Sequence, residues 1–482
     1  MRWLFVLRHV GIVTFILGLT IVFPLGFSFF YKDGDTTALL ASMALALTAG
    51  VSGFFLSRNE KTDYISQREA IAIVALGWTA VALFAAFPFY FAGVFETYAD
   101  AFFESMSGFT TTGASVMTNI EAVPRGLLFW RSFIQWLGGM GIIVLSIAIL
   151  PLLGVGGYQL YKTEVPSPMP DRLKPRIKDT ARILWKVYLA FTILAMVLLM
   201  MGGMGFYDAI CHALTAMPTG GYSTRNLSVA YFDSAYIDMV LILFMLAAGL
   251  NFSLHYQMLM GKPLVYLKNP ESRFFLLLVF LLCIAVCSDI YGTVYHTIGE
   301  TFRFGTFQIV SIITTTGYVT ADYNQWPAMS KTILFFCMFV GASAGSTAGG
   351  MKIIRIMCSL KYCYKELFSL LHPHGLSTVK VGGKTVSDDI IGSILGFLGL
   401  YMALFALCTI VLAGMGVDFV TALSAVASTI GNIGPGLAGV GPVENYAAIP
   451  YMGKWLLSWC MLLGRLEIYT VIIFLVPEFW RE

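Results

Sequence analysis

Apolar stretches longer than the ~18 residues a helix needs to cross hydrocarbon recur along the whole chain. They predict ten spanning helices, over 9–31, 37–57, 69–93, 126–153, 183–204, 234–259, 273–293, 329–357, 388–414 and 451–477. The longer ones must tilt, bend or protrude. A second pattern interrupts them. At four places a short apolar helix-like stretch runs into a polar turn that carries glycine and precedes the next long span. The turns are Thr110-Thr111-Thr112-Gly113, Met217-Pro218-Thr219-Gly220, Thr314-Thr315-Thr316-Gly317 and Ser428-Thr429-Ile430-Gly431-Asn432-Ile433-Gly434. With Gly113, Gly220, Gly317 and Gly434 as anchors, the intervals are 107, 97 and 117 residues. The short helices are predicted over 97–108, 206–216, 301–312 and 417–428. Non-helical backbone at membrane depth is tolerated only where protein buries it or it lines a watery path. Four interruptions therefore predict four quarters of one ring around a pore.

The fold class that follows is an all-α polytopic membrane protein. Composition agrees: 58% of residues are hydrophobic and 12% charged, against about 25% charged in soluble domains. Arg2 and Arg8 flank the first apolar stretch as in a secretion signal, but the stretch is too long for one and is expected to be retained. The eight cysteines lie in or beside apolar spans, without the spacing of a metal site or a disulfide framework.

Charge placement sets the orientation. With the N-terminus inside, the inside segments carry 22 of the 30 Lys and Arg residues, the outside segments carry seven, and Arg465 remains within the last span. The densest inside stretches are Lys162, Arg172, Lys174, Arg176, Lys178, Arg182 and Lys186, then Lys352, Arg355, Lys361, Lys365, Lys380 and Lys384. Such a bias predicts both termini in the cytoplasm. All four turns then fall on the outer side, each between an inward-going and an outward-returning span. The unit is helix, short pore helix, glycine turn, helix. It repeats in parallel over 68–157, 181–262, 271–366 and 386–480, with 1–67 a separate two-helix hairpin. The basic loops either enforce orientation or dock a cytoplasmic partner. Nothing points to nucleic acid.

The turns suit a monovalent cation. Backbone carbonyls replace its water without a formal charge, so the ion binds and still leaves. Glycine reaches the backbone angles such a turn needs, and a helix C-terminus aimed at the pore adds partial negative charge. The simpler role of glycine, close helix packing, suits most of the 47, among them Gly138, Gly139 and Gly141. Acidic residues near the outer mouth, Glu104, Asp208, Glu300, Asp322, Asp418 and Glu444, either concentrate cations or serve as structural partners.

In this order the turns resemble the Trk/Ktr/HKT superfamily of potassium transporters, closest to the bacterial Trk membrane subunit. The likeness covers essentially the whole chain. It rests on Ser107 to Ser115, Thr219-Gly220-Gly221-Tyr222-Ser223, Thr314 to Tyr318, Gly431 to Gly436, Gly341 to Lys352, and Gly464-Arg465-Leu466-Glu467. The resemblance implies one potassium pathway per subunit in the bacterial inner membrane, lined by Thr111, Thr112, Gly113, Thr219, Gly220, Thr315, Thr316, Gly317, Asn432, Ile433 and Gly434. It implies a homodimer, and a cytoplasmic regulatory subunit that binds NAD or ATP. It implies no cofactor beyond the transported potassium. Glycine at 113, where a serine goes with sodium permeation in this family, implies potassium preference. Met217-Pro218 before Thr219 departs from the Thr-rich pattern, since proline removes a donor and restricts its neighbour.

Residues 341–350 break the eighth span with small and polar residues, among them Gly341, Gly345, Gly349 and Gly350. The resemblance makes this loop a movable barrier beneath the filter; a rigid packing segment is the alternative. The spacing of a phosphate-binding loop is missing. Arg465 is costly in a span unless paired or hydrated. It either faces the pathway and holds the gate loop, or serves packing alone. Glu467 diverges from it on the same helix.

Potassium uptake through a gated pore is thus the expected function, with potassium symport coupled to protons or sodium on the same fold as the alternative. An enzyme would need clustered nucleophile, base or metal ligands at one depth, and the sequence carries no such motif. An organic-solute transporter more often shows inverted repeats.

Overall fold

Long runs of leucine, isoleucine, valine and phenylalanine without an internal polar face leave a chain in hydrocarbon one way to satisfy its backbone, the helix. A computed structural model of the protein describes residues 1–56, 65–148, 177–373, 375 and 377–481. Six helices in it are long and apolar enough to cross a membrane: Trp3–Tyr31, Thr36–Leu56, Gln67–Phe91, Asp179–Met201, Pro270–Ile290 and Asp388–Gly414. Two bent pairs bring the total to eight: Ala235–Gly249 with Phe252–Leu259, turned by 106°, and Tyr451–Arg465 with Tyr469–Leu475, turned by 116°. The expected spans 234–259 and 451–477 are therefore broken rather than continuous. The remaining two expected spans correspond to Arg125–Ala148 and to Ala328–Cys337, after which the chain leaves the helix until Ile353–Leu371. Residues 57–64 and 149–176, with Lys162, Arg172, Lys174, Arg176 and the adjoining ends of the 1–67 and 68–157 units, lie outside the described residues.

The four short helices are Tyr98–Phe109, Phe206–Ala216, Ile298–Ile313 and Phe419–Gly431. Three start at a capping side chain. Thr97, Thr297 and Asp418 accept from the amides of Asp100, Glu300 and Thr421 at 3.2, 3.2 and 3.1 Å, which satisfies donors the helix itself leaves free. In each, the last six residues before the turn are all buried. These elements form the centre of the molecule.

The first two long helices pack through small residues. A Cβ on Gly50 would come within 2.6 Å of Phe15 Cβ and 2.7 Å of Phe15 Cα, so this approach requires glycine. An ion pair of 2.8 Å between Arg2 and buried Glu69 ties the hairpin to the next helix. Gly138, Gly139 and Gly141 also mark close approach, against Phe109 O, Pro218 and Trp78 respectively.

Candidate functional site: a ring of four turns

Each short helix ends in the same backbone device. The amides of Thr112, Gly220, Thr316 and Ile433 reach back to the carbonyls of Ser107, Thr215, Ser311 and Ser428, at 2.8, 2.9, 2.8 and 2.9 Å. The residue before each donor is left-handed, with φ of 52° at Thr111, 57° at Thr219, 57° at Thr315 and 55° at Asn432. The residue after it is a glycine of positive φ: 82° at Gly113, 72° at Gly221, 80° at Gly317 and 105° at Gly434. The second turn thus corrects the anchor set. Its equivalent of Gly113 is Gly221, and Gly220 occupies the place of Thr112 and Thr316. Two adjacent glycines concealed the offset; the intervals become 108, 96 and 117 residues.

The turns meet one another in cyclic order. A Cβ on Gly113 would collide with the carbonyl oxygen of Gly220, one on Gly221 with that of Thr316, and one on Gly317 with that of Ile433. One on Gly434 would lie 2.8 Å from the oxygen of Thr112, which closes the ring. The four oxygens belong to the four equivalent residues. A side chain at any of the four glycines meets both a forbidden φ and an occupied space.

Hydroxyls brace the ring. Thr110 and Thr112 share a hydrogen bond of 2.7 Å, and Thr314 and Thr316 one of 2.8 Å. In the fourth turn Asn432 donates to Thr112 Oγ1 at 3.0 Å and to Met461 O at 2.9 Å. Tyr222 after the second turn donates to Glu104 O in the first short helix at 2.8 Å. Tyr318 after the third donates to His212 O in the second at 2.9 Å. His212 itself is spanned by Asp208 O and Ser223 Oγ, at 2.7 and 2.9 Å. It is a buried structural histidine.

On one face of the ring opens a cavity of about 230 Å³, lined by Gly113, Gly221, Gly317 and Gly434 with Tyr222 and Glu444. The six acidic residues expected at the outer mouth now divide. Glu104 pairs with Arg131 at 2.6 Å, and Asp208 with Arg225 at 2.9 Å. Glu300, Asp322 and Asp418 serve helix starts. Glu444 alone of the six borders the cavity with an exposed side chain.

Against the other face lies the 341–350 loop. Its Gly349 amide donates to Thr315 Oγ1 at 2.7 Å. Thr347 Oγ1 donates to Met217 O at 3.0 Å, and a Cβ on Gly349 would come within 2.5 Å of Gly431 O. The loop therefore touches three of the four turns. It is fastened elsewhere by Ser343 N to Gly249 O at 3.0 Å, Phe252 N to Gly345 O at 3.1 Å and Gly341 N to Met351 O at 2.8 Å. Gly345 and Gly350 take positive φ of 74° and 62°. Glu271 accepts from the Ala344 amide at 2.7 Å. The bend at Asn251 supplies two of these anchors, because it exposes the helix end at Gly249.

Arg465 is 2% exposed and donates to Thr347 O at 2.7 Å and Gly138 O at 3.3 Å. Among the described residues no carboxylate pairs with it; Glu467 pairs with Arg355 instead. So Arg465 does touch the loop, and among the described residues its hydrogen-bond partners are carbonyl oxygens. Sequence reasoning missed Arg131 and Gln135, buried polar residues on the helix Arg125–Ala148. Their signal was an i, i+4 pair on one face of an otherwise apolar helix.

Residues 37–481 match the family described as TrkH, cation transport protein. The Trk system potassium uptake protein TrkH of Halomonas elongata is 39% identical over 480 residues, 99% of both chains. The protein of the same name from Escherichia coli K12 is 38% identical over 484 residues, 98% of this chain and 99% of its own. The crystal structure of the potassium transporter TrkH from Vibrio parahaemolyticus matches with a TM-score of 0.92 and 37% identity, covering 100% of each chain.

Proposed function

Because the chain belongs to the TrkH family of cation transport proteins, we propose that it takes up potassium through the ring of four turns, gated by the 341–350 loop. The members of this family are transporters, not enzymes, and the relatives are named for potassium uptake. The observation that carries the reading is the cyclic contact of Gly113, Gly221, Gly317 and Gly434 with the carbonyls of Gly220, Thr316, Ile433 and Thr112.

A potassium ion entering from the cavity sheds water onto carbonyl oxygens of Thr112, Gly220, Thr316 and Ile433. Their dipoles repay dehydration without trapping the ion. The short helices end at the ring, so their partial negative ends favour a cation there. The threonine and asparagine braces fix the spacing of the oxygens. On the inner face the loop 341–350 blocks the path, and Arg465, with no carboxylate partner among the described residues, adds a positive charge that repels a cation in the closed state. Passage requires the loop to leave Thr315, and with it the bond from Arg465 to Thr347.

In this reading the chain crosses the membrane ten times in four parallel quarters plus the N-terminal hairpin, with both termini in the cytoplasm of a bacterial inner membrane. It works as a homodimer with a cytoplasmic regulatory subunit that binds NAD or ATP. The Lys- and Arg-rich loops lie on that side.

Uptake measured in proteoliposomes with potassium, rubidium, caesium or sodium as the only permeant cation tests the proposal. Potassium and rubidium are expected to enter far faster than sodium. Equal rates for all four would remove selectivity from the ring. Reversal potentials in the same vesicles that shift with a proton or sodium gradient would replace the pore by the coupled alternative.

A further inference from the structure

The second turn lacks the brace that its neighbours have. Where the first and third turns pair Thr110 with Thr112 and Thr314 with Thr316, the second has Pro218 and Gly220, neither with a hydroxyl. Two successive glycines, Gly220 and Gly221, are also the most pliant backbone in the ring. Yet the Gly220 carbonyl sits against Gly113 like its three equivalents.

A side chain from another helix occupies the vacancy. Gln135, fully buried in Arg125–Ala148, donates from Nε2 to Gly220 O at 2.7 Å and accepts from the Tyr222 amide on Oε1 at 3.2 Å. A Cβ placed on Gly220 would collide with the Gln135 amide group. The glutamine thus stands where Thr112 and Thr316 carry their own side chains. It grips the turn on both sides of Gly221. A carbonyl oxygen has two lone pairs, so the bond from Gln135 leaves one for an ion. One turn of helix away, Arg131 lies 3.5 Å over the Tyr222 ring and donates to Ser223 O at 3.0 Å.

We infer that Gln135 is a positioning residue for potassium selectivity: from outside the turns it sets the orientation of the Gly220 carbonyl, the oxygen that the diglycine turn cannot hold by itself. The inference rests on the reading of the ring as the filter. Gln135→Leu keeps the volume and removes both hydrogen bonds. A residue needed only for packing would lower potassium and sodium uptake together and leave their ratio unchanged. A positioning residue changes the ratio.

The experiment compares potassium and sodium uptake into proteoliposomes for the unaltered protein, Gln135→Leu and Gly113→Ser. Gln135→Leu is expected to lower the potassium-to-sodium ratio about tenfold, the equivalent of ~1.4 kcal/mol. An unchanged ratio in Gln135→Leu beside a lowered one in Gly113→Ser overturns the inference and leaves the filter reading standing. An unchanged ratio in both overturns the filter reading itself. If Gln135→Leu yields no folded protein, Gln135→Asn, which keeps the amide but shortens its reach to Gly220 O, is read in the same way. A lowered potassium-to-sodium ratio is expected; an unchanged ratio beside a lowered one in Gly113→Ser overturns the inference.

Discussion

Thr111, Thr219, Thr315 and Asn432 hold left-handed backbone, which costs a non-glycine residue ~1–2 kcal/mol. The same cost at four equivalent places is kept because each bend turns one carbonyl toward the next quarter. Glycine at 113, 221, 317 and 434 then admits that carbonyl. Gly221→Ser is therefore expected to weaken potassium over sodium discrimination as severely as Gly113→Ser, about tenfold or ~1.4 kcal/mol, in uptake ratios. Retained discrimination in Gly221→Ser would place the second quarter's register elsewhere. Thr315 belongs to the ring and to the loop contact at once. Thr315→Val keeps its shape and strands the buried Gly349 amide, a loss of about 1–3 kcal/mol from the closed arrangement. Basal potassium leak should rise; an unchanged leak would mean that this hydrogen bond does not hold the loop shut.

Elements show where sequence reading succeeds and where tertiary structure overrides it. The short helices were legible because a short apolar stretch runs into a polar glycine turn that marks each end; their starts were less so, the third beginning at Ile298 rather than at 301. The loop at 341–350 was legible from its run of small residues. The bend at Leu250 and Asn251 was not, since apolar residues continue across it and only Asn251 signals a cap. Nor was the break after Arg465, which contains Leu466, Glu467 and Ile468 and no glycine or proline. Glu467 and Ile468 are forced to φ of 63° and 44°, and the buried Glu467–Arg355 ion pair holds them. Removing one partner of a buried pair typically costs ~3–5 kcal/mol. Glu467→Gln should thus lower the thermal unfolding midpoint in detergent more than the paired replacement Arg355→Met/Glu467→Leu does. Equal loss in both would show that the pair contributes little at the break. Arg465→Ala, or a shortened 341–350 loop, should raise basal flux; a fall in flux with normal folding would argue against a barrier.

At the scale of the molecule, the ring joins residues separated by about a hundred positions in sequence, and no local signal contains that closure. What the sequence did carry was recurrence: a polar glycine turn after each short helix, in the same place relative to the long spans. Among the described residues the cysteines and histidines form no cluster that could hold a metal ion. As a selectivity filter the ring requires that oxygens from four unlike turns serve one ion together. Anomalous X-ray scattering from crystals of the protein grown in rubidium measures that directly. The expected result is a rubidium peak enclosed by the carbonyls of Thr112, Gly220, Thr316 and Ile433; ordered rubidium along a different route, with the ring empty, would contradict the account.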